Sequence, residues 1–494
     1  MKLEGWCGGV AAFNAWMEQR LASPIPAGKL LGEIEVADGE AAFVCSMALR
    51  RPQCHDLAVN LADVPVPRSR QEELGQFLTA MPVAEFMASL FGPLPNEVRL
   101  LDAGAGAGAL TAAFVNHCIA CHPNVRAIEA TLYEIDRAIL GALERTMREC
   151  RGRCANAGVR FTFNVRTADF IQEMSAQLAG DLFAAEPPLF DAAIANPPYR
   201  KISSVSAERR ALRSLGVETS NLYTGFISVI QRLLVPGGQL VGITPRSFCN
   251  GPYFRPFRVD LLNYLELHRL HVFESRQAAF RDDDVLQENI IFHAVRGRKQ
   301  PSEVTISSSS GEPGDAIAVA SVPIVEVVHP GDVERFIHIP SEASHAAAKA
   351  TMDRLHTRLS SLGLKVSTGR VVDFRLKDAL RKESEPGTVP LLYPCHFNGG
   401  LVHWPNPETR KPNAILENEV MRPWLVPSGF YLLTKRFTSK EERRRVVACL
   451  FDPEQVKSDW IGFENHLNYF HANGQGLDRL LAKGLFAFLN STVV

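Results

Sequence analysis

A chain of 494 residues with 46% hydrophobic and 22% charged residues holds enough apolar material for two or three folded domains, which excludes disorder over most of its length. A formal net charge of -1 excludes any global attraction for nucleic acid or anionic membranes, so such a partner would have to be met by a local patch. The segment from Lys365 to the end carries 18 Lys and Arg against 14 Asp and Glu, which makes it the basic part of the chain.

The opening MKLEGWCGGVAAFNAWMEQR has one early lysine and no long apolar core, and no stretch reaches the roughly 18 apolar residues of a membrane span. A cytoplasmic protein without membrane contact is expected. Ten cysteines without a secretion signal point to reduced thiols. Cys118, Cys121, Cys150 and Cys154, with His117 and His122 beside the first pair, offer a zinc set as the alternative to simple packing. Cys118 and Cys121 share a face of an expected helix, where cysteine packs as a small apolar residue, so no metal is expected.

Residues 1–70 read as an N-terminal helical extension ending in the Pro-rich DVPVPRSR. In GQFLTAMPVAEFMASLFG the apolar residues fall at helical spacing; a helix is expected to start near Pro82, with Thr79 as a candidate cap. From VRLLDAGAGAGAL onward, short apolar runs alternate with amphipathic ones, the pattern of a mostly parallel sheet flanked by helices. LYEID, VRFTFNVRTADFI, FDAAIANPPY, PGGQLVGITPRS, LNYLELHRLHVFESR and ENIIFHAVRG supply further strands, and Ser307 to Ser310 read as a polar break. The fold class is therefore α/β and Rossmann-like over 71–345. A mostly β domain is expected over 346–494, carrying VVDFRL, VPLLYPCHFNGGLVHW, GFYLLTKRF and RRVVACLF.

Three strand ends carry chemistry. In LLDAGAGAGAL an apolar strand ends at Asp102 and glycines follow at 104, 106 and 108 before a helix, so the backbone can turn tightly and approach a ligand at a helix N-terminus. Gly104, Gly106 and Ala109 also satisfy a dinucleotide fingerprint, but the next acid, Glu134, lies 28 residues after Gly106, where that pattern expects about 20. Asp102 beside the glycines, Glu134 placed for ribose hydroxyls and Asp169-Phe170 placed for an adenine suit S-adenosylmethionine better. Each acid taken singly also reads as a helix cap. In DAAIANPPYRK the prolines end the strand and hold Asn196-Pro197-Pro198-Tyr199 rigid and outward, a plain strand exit or a clamp for a planar amino-bearing group.

Taken in order, DxGxGxG at 102–108, Glu134, Asp169-Phe170 and Asn196-Pro-Pro-Tyr199 resemble the gamma-class DNA adenine-N6 methyltransferases of restriction-modification systems, TaqI-like and PstI/BsuBI-like. The likeness runs over about 75–296, through GQFLTAMPVAEFM, PGGQLVGITPRSFCNGPYFRPFR and FESRQAAFRDDDVLQENIIF. Thr79-Ala80 stands where the family usually has Thr-Pro, and the glycine loop where it more often has D-P-A-C-G-T-G. LFAFLNSTVV resembles a segment that the family continues, so a C-terminal truncation is expected.

The resemblance implies a class I methyltransferase domain with a C-terminal target-recognition domain, and S-adenosylmethionine as cofactor. It implies cofactor contacts from Thr79, Asp102, Ala103, Gly104 and Gly106, and from Glu134, Ile135, Asp169, Phe170 and Asn196. Asn196, Pro197, Pro198 and Tyr199 would be catalytic, acting on the N6 amino group of a flipped-out adenine, with Tyr199 and Phe280 stacking on the base. The expected partner is double-stranded DNA, bound by a monomer, with a cognate restriction endonuclease acting separately. Arg200-Lys201, Lys435-Arg436 and Arg443-Arg444-Arg445 are candidate phosphate or base contacts, or solvated faces. RNA adenine, a protein glutamine, or a silent DNA-binding homologue are the competing readings.

Overall fold

Five apolar runs become neighbouring parallel strands because the chain between successive runs is helical and long enough to carry it back across a sheet. A computed structural model describes residues 79–180, 186–273, 288–309, 317–340, 357, 359–438, 444 and 446–491. The N-terminal extension expected over 1–70 lies outside these residues. The chain divides into two units, the first ending at Ile339 and the second starting at Pro340.

In the first unit the strands are β1 (Glu97–Ala103), β2 (Ala127–Tyr133), β3 (Arg160–Arg166), β4 (Phe190–Ala195), β5 (Leu234–Pro245), β6 (Leu265–Phe273), β7 (Asn289–Arg296), β8 (Glu303–Ser309) and β9 (Ala318–Pro323). They form one sheet in the order β3-β2-β1-β4-β5-β7-β6-β8-β9. The first five are mutually parallel, and β7 runs antiparallel between β5 and β6. Strand order reverses at β1, which pairs with β2 on one side and β4 on the other. Central β4 is apolar and almost wholly buried, as a strand covered on both faces must be, whereas edge strand β3 alternates between covered and exposed positions.

The helices are α1 (Met81–Ala88), α2 (Ala109–Cys121), α3 (Leu140–Asn156), α4 (Phe170–Leu178), α5 (Ala207–Ser214), α6 (Leu222–Leu233) and α7 (Arg255–Tyr264). Helix α1 begins as expected with Pro82 in its first turn, but Ala80 holds the N-cap position and no side chain caps it. Thr79 is therefore not a cap. Helix α3 buries Leu143, Met147, Cys150 and Cys154, a stripe at steps of three and four. One core lies on the sheet face covered by α1 to α3, and the other on the face covered by α4, α6 and α7.

Cys118, Cys150 and Cys154 belong to the first of these cores. Burial pushes the Cys150 thiol up to about 12 and the Cys154 thiol up to about 11, which suits packing rather than thiolate chemistry. Among the described residues no three His, Cys, Asp or Glu side chains are grouped as a metal site.

The expected break at Ser307 to Ser310 is corrected up to Ser309. Ser307, Ser308 and Ser309 are the end of β8, paired in parallel with β6, and the hydroxyls of Ser307 and Ser309 hydrogen-bond the two ring nitrogens of buried His271 at 3.0 and 3.1 Å. A serine run can pass through a sheet when a cross-strand partner satisfies its hydroxyls.

The second unit is mostly β, as expected. A six-stranded sheet contains the central strands Tyr431–Lys435, Ala448–Phe451 and Leu467–His471, and a five-stranded sheet is centred on Thr388–Leu392. VVDFRL does not form a strand: only Val371 makes an isolated bridge, and 3-10 turns follow from Asp373. A helix, Arg479–Leu489, is capped by the Asp478 carboxylate, which accepts from the Leu480 and Leu481 amides. Among the described residues no helix is long and apolar enough to cross a membrane.

Arg258 on α7 is wholly buried and staples the loop that follows β5. Its guanidinium donates to the carbonyls of Phe248, Asn250, Gly251 and Glu334 at 2.8 to 3.1 Å. Replacing it strands several buried acceptors, so Arg258→Met should lower stability by about 3 kcal/mol or more. Arg258→Lys should restore only part, because an ammonium lacks the planar fork. Urea unfolding of the three proteins measures both effects.

Candidate active site

The pairing register sets the site. Ala103 is level with Tyr133 on β2, and Asp102 is level with Ile194 on β4. One step beyond the strand ends, Gly104 therefore stands beside Glu134 on one side and Asn196 on the other. A Cβ on Gly104 would lie 3.9 Å from the Asn196 carbonyl oxygen. The crevice that Gly104, Glu134 and Asn196 frame is the switch point of the sheet, where open α/β folds bind ligands.

The loop from Gly104 to Gly108 needs its glycines: φ is +86°, +57° and +88° at 104, 106 and 108, a region that side chains other than glycine's disfavour. At Gly108 a Cβ would also meet Leu143 and Met147 at 2.9 Å, so this third glycine lets α3 pack against the start of α2. The amides of Gly104 and Ala105 both donate to the Tyr133 carbonyl at 2.9 Å. Ala103 is the buried last residue of β1.

Glu134 is almost fully buried, and its carboxylate accepts from the Gly106 amide at 2.9 Å and the Asp136 amide at 2.7 Å. It thus ties the glycine loop to the end of β2. A carboxylate oxygen can accept more than one hydrogen bond, the property a vicinal diol needs of its partner. Ile135, next in the chain, is 53% exposed and so is open to an apolar ring laid against it.

Three expected residues sit differently from their reading in sequence. Asp102 does not open toward a ligand: it is wholly buried, and Thr111 Oγ1 donates to its Oδ2 at 2.7 Å. Its Oδ1 has no hydrogen-bond partner among the described residues. Burial above all, with repulsion from Glu134, pushes its carboxyl up to about 7 against the pull of the Thr111 bond. Asp169 caps α4, accepting from the Gln172 amide at 2.9 Å, so the plain reading of this acid holds for one oxygen. Phe170 is a core residue, 5.1 Å from the ring centres of Tyr133 and Phe226, because it begins a helix whose buried face also carries Ile171 and Met174.

At the end of β4, Asn196 is buried and its amide is held at both ends. Nδ2 donates to Thr79 Oγ1 at 3.0 Å, and Oδ1 accepts from the Tyr199 hydroxyl at 2.8 Å. Tyr199 is half-buried. Its hydroxyl also lies 3.3 Å from the Ile243 carbonyl and its ring meets Tyr223 edge-on at 6.2 Å, so burial raises its phenol. Pro197 is buried and Pro198 half-buried. The chain beyond is clamped, with the Ile202 amide on the Ser220 carbonyl and the Leu222 amide on the Arg200 carbonyl, both at 2.8 Å. Arg200 faces Glu208 at 3.7 Å, an exposed pairing of small energetic weight. Phe280 lies outside the described residues, as do Arg443 and Arg445.

Sequence reading missed Thr111, the bond between Thr79 and Asn196, and the contact of Tyr199 with β5. None leaves a local signal, because each partner is brought in by the sheet or by the return of a helix.

The residues present fit a ligand that carries a sugar diol, an apolar ring and a cation. Glu134 sets a carboxylate at the glycine loop, Ile135 is exposed, and Asp102 Oδ1 is a buried acceptor without a partner among the described residues.

A family model described as Eco57I restriction-modification methylase matches residues 159–280. The chain is 41% identical over 433 residues to the type II methyltransferase M.PstI of Providencia stuartii, covering 88% of this chain and 84% of that protein. It is 42% identical over 427 residues to the type II methyltransferase M.BsuBI of Bacillus subtilis, covering 86% and 83%. Among solved structures, the type IIG restriction endonuclease BpuSI aligns with a TM-score of 0.44 at 13% identity, over 86% of this chain and 56% of that one. The DrdV-DNA complex aligns with a TM-score of 0.48 at 11% identity, over 92% and 54%. This chain thus spans little more than half the length of either solved protein.

Asp102 makes stability depend on pH. Its folded value, about 7, stands above its ordinary 3.8, so folding takes up a proton between those values. Its contribution is complete below about pH 4 and is lost as pH rises through 7. Without ligand, stability should fall across pH 5 to 7.5 by roughly 2–4 kcal/mol more in the parent than in Asp102→Asn. Denaturant titrations at a series of pH values measure the difference.

Proposed function

This chain belongs to the PstI- and BsuBI-like type II methyltransferases of restriction-modification systems, and from that membership we propose that it methylates the N6 amino group of adenine in duplex DNA. The observation that carries the reading is Asn196, a rigidly placed acceptor one residue past β4 and level with the start of the glycine loop.

S-adenosylmethionine, when bound, supplies an electrophilic methyl group that passes by direct in-line displacement. Glu134 would hold its ribose hydroxyls and Ile135 would cover its adenine, while Asp102, wholly buried, would act on the cationic end through its charge rather than by contact. A cation there also offsets the cost of keeping that carboxylate buried and ionised.

Adenine N6 is a weak nucleophile because its lone pair is delocalised into the ring. Asn196 Oδ1 and the Pro197 carbonyl accept its two hydrogens and draw the nitrogen toward a tetrahedral geometry. Placement and fixed dipoles do the work, with no covalent intermediate on the protein. A stacked base cannot reach these acceptors, so the adenine must leave the helix. Its arrival has a local condition: Tyr199 must give up its bond to Asn196 Oδ1, which frees the ring to stack on the base. Residues 71–345 perform the transfer and 346–494 recognise the target, where Arg436 beside exposed Phe437 and the nearby His466 form one basic aromatic patch suited to a nucleic-acid surface.

Tritium-labelled methyl from S-adenosylmethionine should appear in N6-methyladenine when unmethylated duplex DNA is the acceptor. Asn196→Ala should reduce transfer by at least about a thousandfold while calorimetric cofactor affinity stays within a few-fold. Label in RNA or protein but not in DNA would refute the reading.

A further inference from the structure

The sheet contains a second buried carboxamide at the edge where the ligand crevice lies. Asn289 is the first residue of β7 and pairs with Pro245, the last residue of β5. Since β5 is parallel to β4 and β1, Asn289 stands at the same carboxyl edge as Asn196 and the glycine loop. Side chains alternate along a strand: Ile290 and Phe292 belong to the core covered by α4, α6 and α7, and Ile291 to the core covered by α1 to α3. Asn289 therefore projects on the α1 side, the side from which Thr79 reaches Asn196.

Only 6% of Asn289 is exposed, and neither Nδ2 nor Oδ1 has a hydrogen-bond partner among the described residues. Buried amides are almost always paired. Deeper in the same sheet face, Gln239 obeys that rule fully, accepting from the Gly92 amide at 2.8 Å, donating to the Pro93 carbonyl at 2.9 Å and meeting His293 Nε2 at 3.0 Å. Elsewhere in the unit buried Gln231 keeps one amide atom bonded, its Nε2 donating to Asp260 at 2.7 Å while its Oε1 has no partner among the described residues, whereas both polar atoms of Asn289 lack one. Asn289 lies instead at the ligand edge, and its backbone neighbour Pro245 has no amide hydrogen to offer.

We propose that Asn289 is a second base-contacting residue, whose carboxamide hydrogen-bonds a ring nitrogen of the extruded adenine on the side away from its amino group. This rests on the base site assigned above. Strand β7 lies two strands from β4, a separation of about 10 Å. A purine with hydrogen bonds of about 3 Å at either end spans that separation. Asn196 and Pro197 would then take the amino hydrogens while Asn289 Nδ2 donates to a ring acceptor, fixing the rotation of the base in its plane.

The test uses the full chain, unmethylated plasmid DNA and tritiated S-adenosylmethionine. Asn289→Leu keeps the shape and removes only an unpaired amide, so its Tm should equal or exceed that of the parent. Cofactor binding by calorimetry should stay within twofold, while kcat/KM for DNA should fall about tenfold to a hundredfold, the loss expected when a site loses a buried hydrogen bond to its substrate. Asn289→Ser, a smaller change with a hydroxyl donor, should retain part of the activity. Parental kcat/KM in Asn289→Leu, or a lowered Tm with equal loss of cofactor binding in both variants, would overturn the assignment. If Asn196→Ala is inactive while Asn289→Leu matches the parent, only the role of Asn289 fails. A parent inert toward DNA overturns the base site and Asn289 with it.

Discussion

The reversal of strand order at β1 is the constraint on which the remainder of the first unit depends. Because β1 pairs with β2 on one side and β4 on the other, the connections leaving these strands diverge and open a crevice at their carboxyl ends. The in-step register then brings Gly104, Glu134 and Asn196 to one level. No flexible loop has to find another: the ladder hydrogen bonds set the relative heights of the three groups, and the clamps on Gly106 and Arg200 hold the segments that follow.

Buried polar groups are satisfied to different degrees across the unit, and scaffold positions such as Ser175, Ser228 and Gln231 also keep an atom without a partner among the described residues. Arg258, Gln239 and His271 are buried deep in the unit and bonded on several sides, so they hold elements together. Asp102 and Asn289, at the carboxyl edge, keep buried polar atoms without partners among the described residues. An unpaired buried acceptor or donor costs roughly 1–3 kcal/mol. A ligand that supplied the missing partner would recover that cost.

Asn196 illustrates the opposite solution. Its amide is paired at both ends, with Thr79 and with Tyr199. The Tyr199 hydroxyl stands in for an amino group, donating to the oxygen that the substrate is proposed to use. Exchange of one donor for another keeps the energetic change small, and binding is then decided by stacking and by contacts on the far edge of the base.

Much of this was legible in the sequence because it rests on local backbone demands. Gly104, Gly106 and Gly108 all need a left-handed φ; Pro197 and Pro198 end a strand; and the alternation of apolar and amphipathic runs dictates a parallel sheet. The amino-acid order alone thus determined the α/β class, the glycine turn after β1 and the rigid Asn-Pro-Pro-Tyr strand exit. It did not determine that Asp102 turns inward to Thr111, that Phe170 is core, that Ser307 to Ser309 complete a strand, or that Thr79 binds Asn196. Those outcomes depend on partners 9 to 117 residues away, brought close by strand pairing and helix return. A side chain's environment at such range is a property of the packed sheet, and only the tertiary structure decides it.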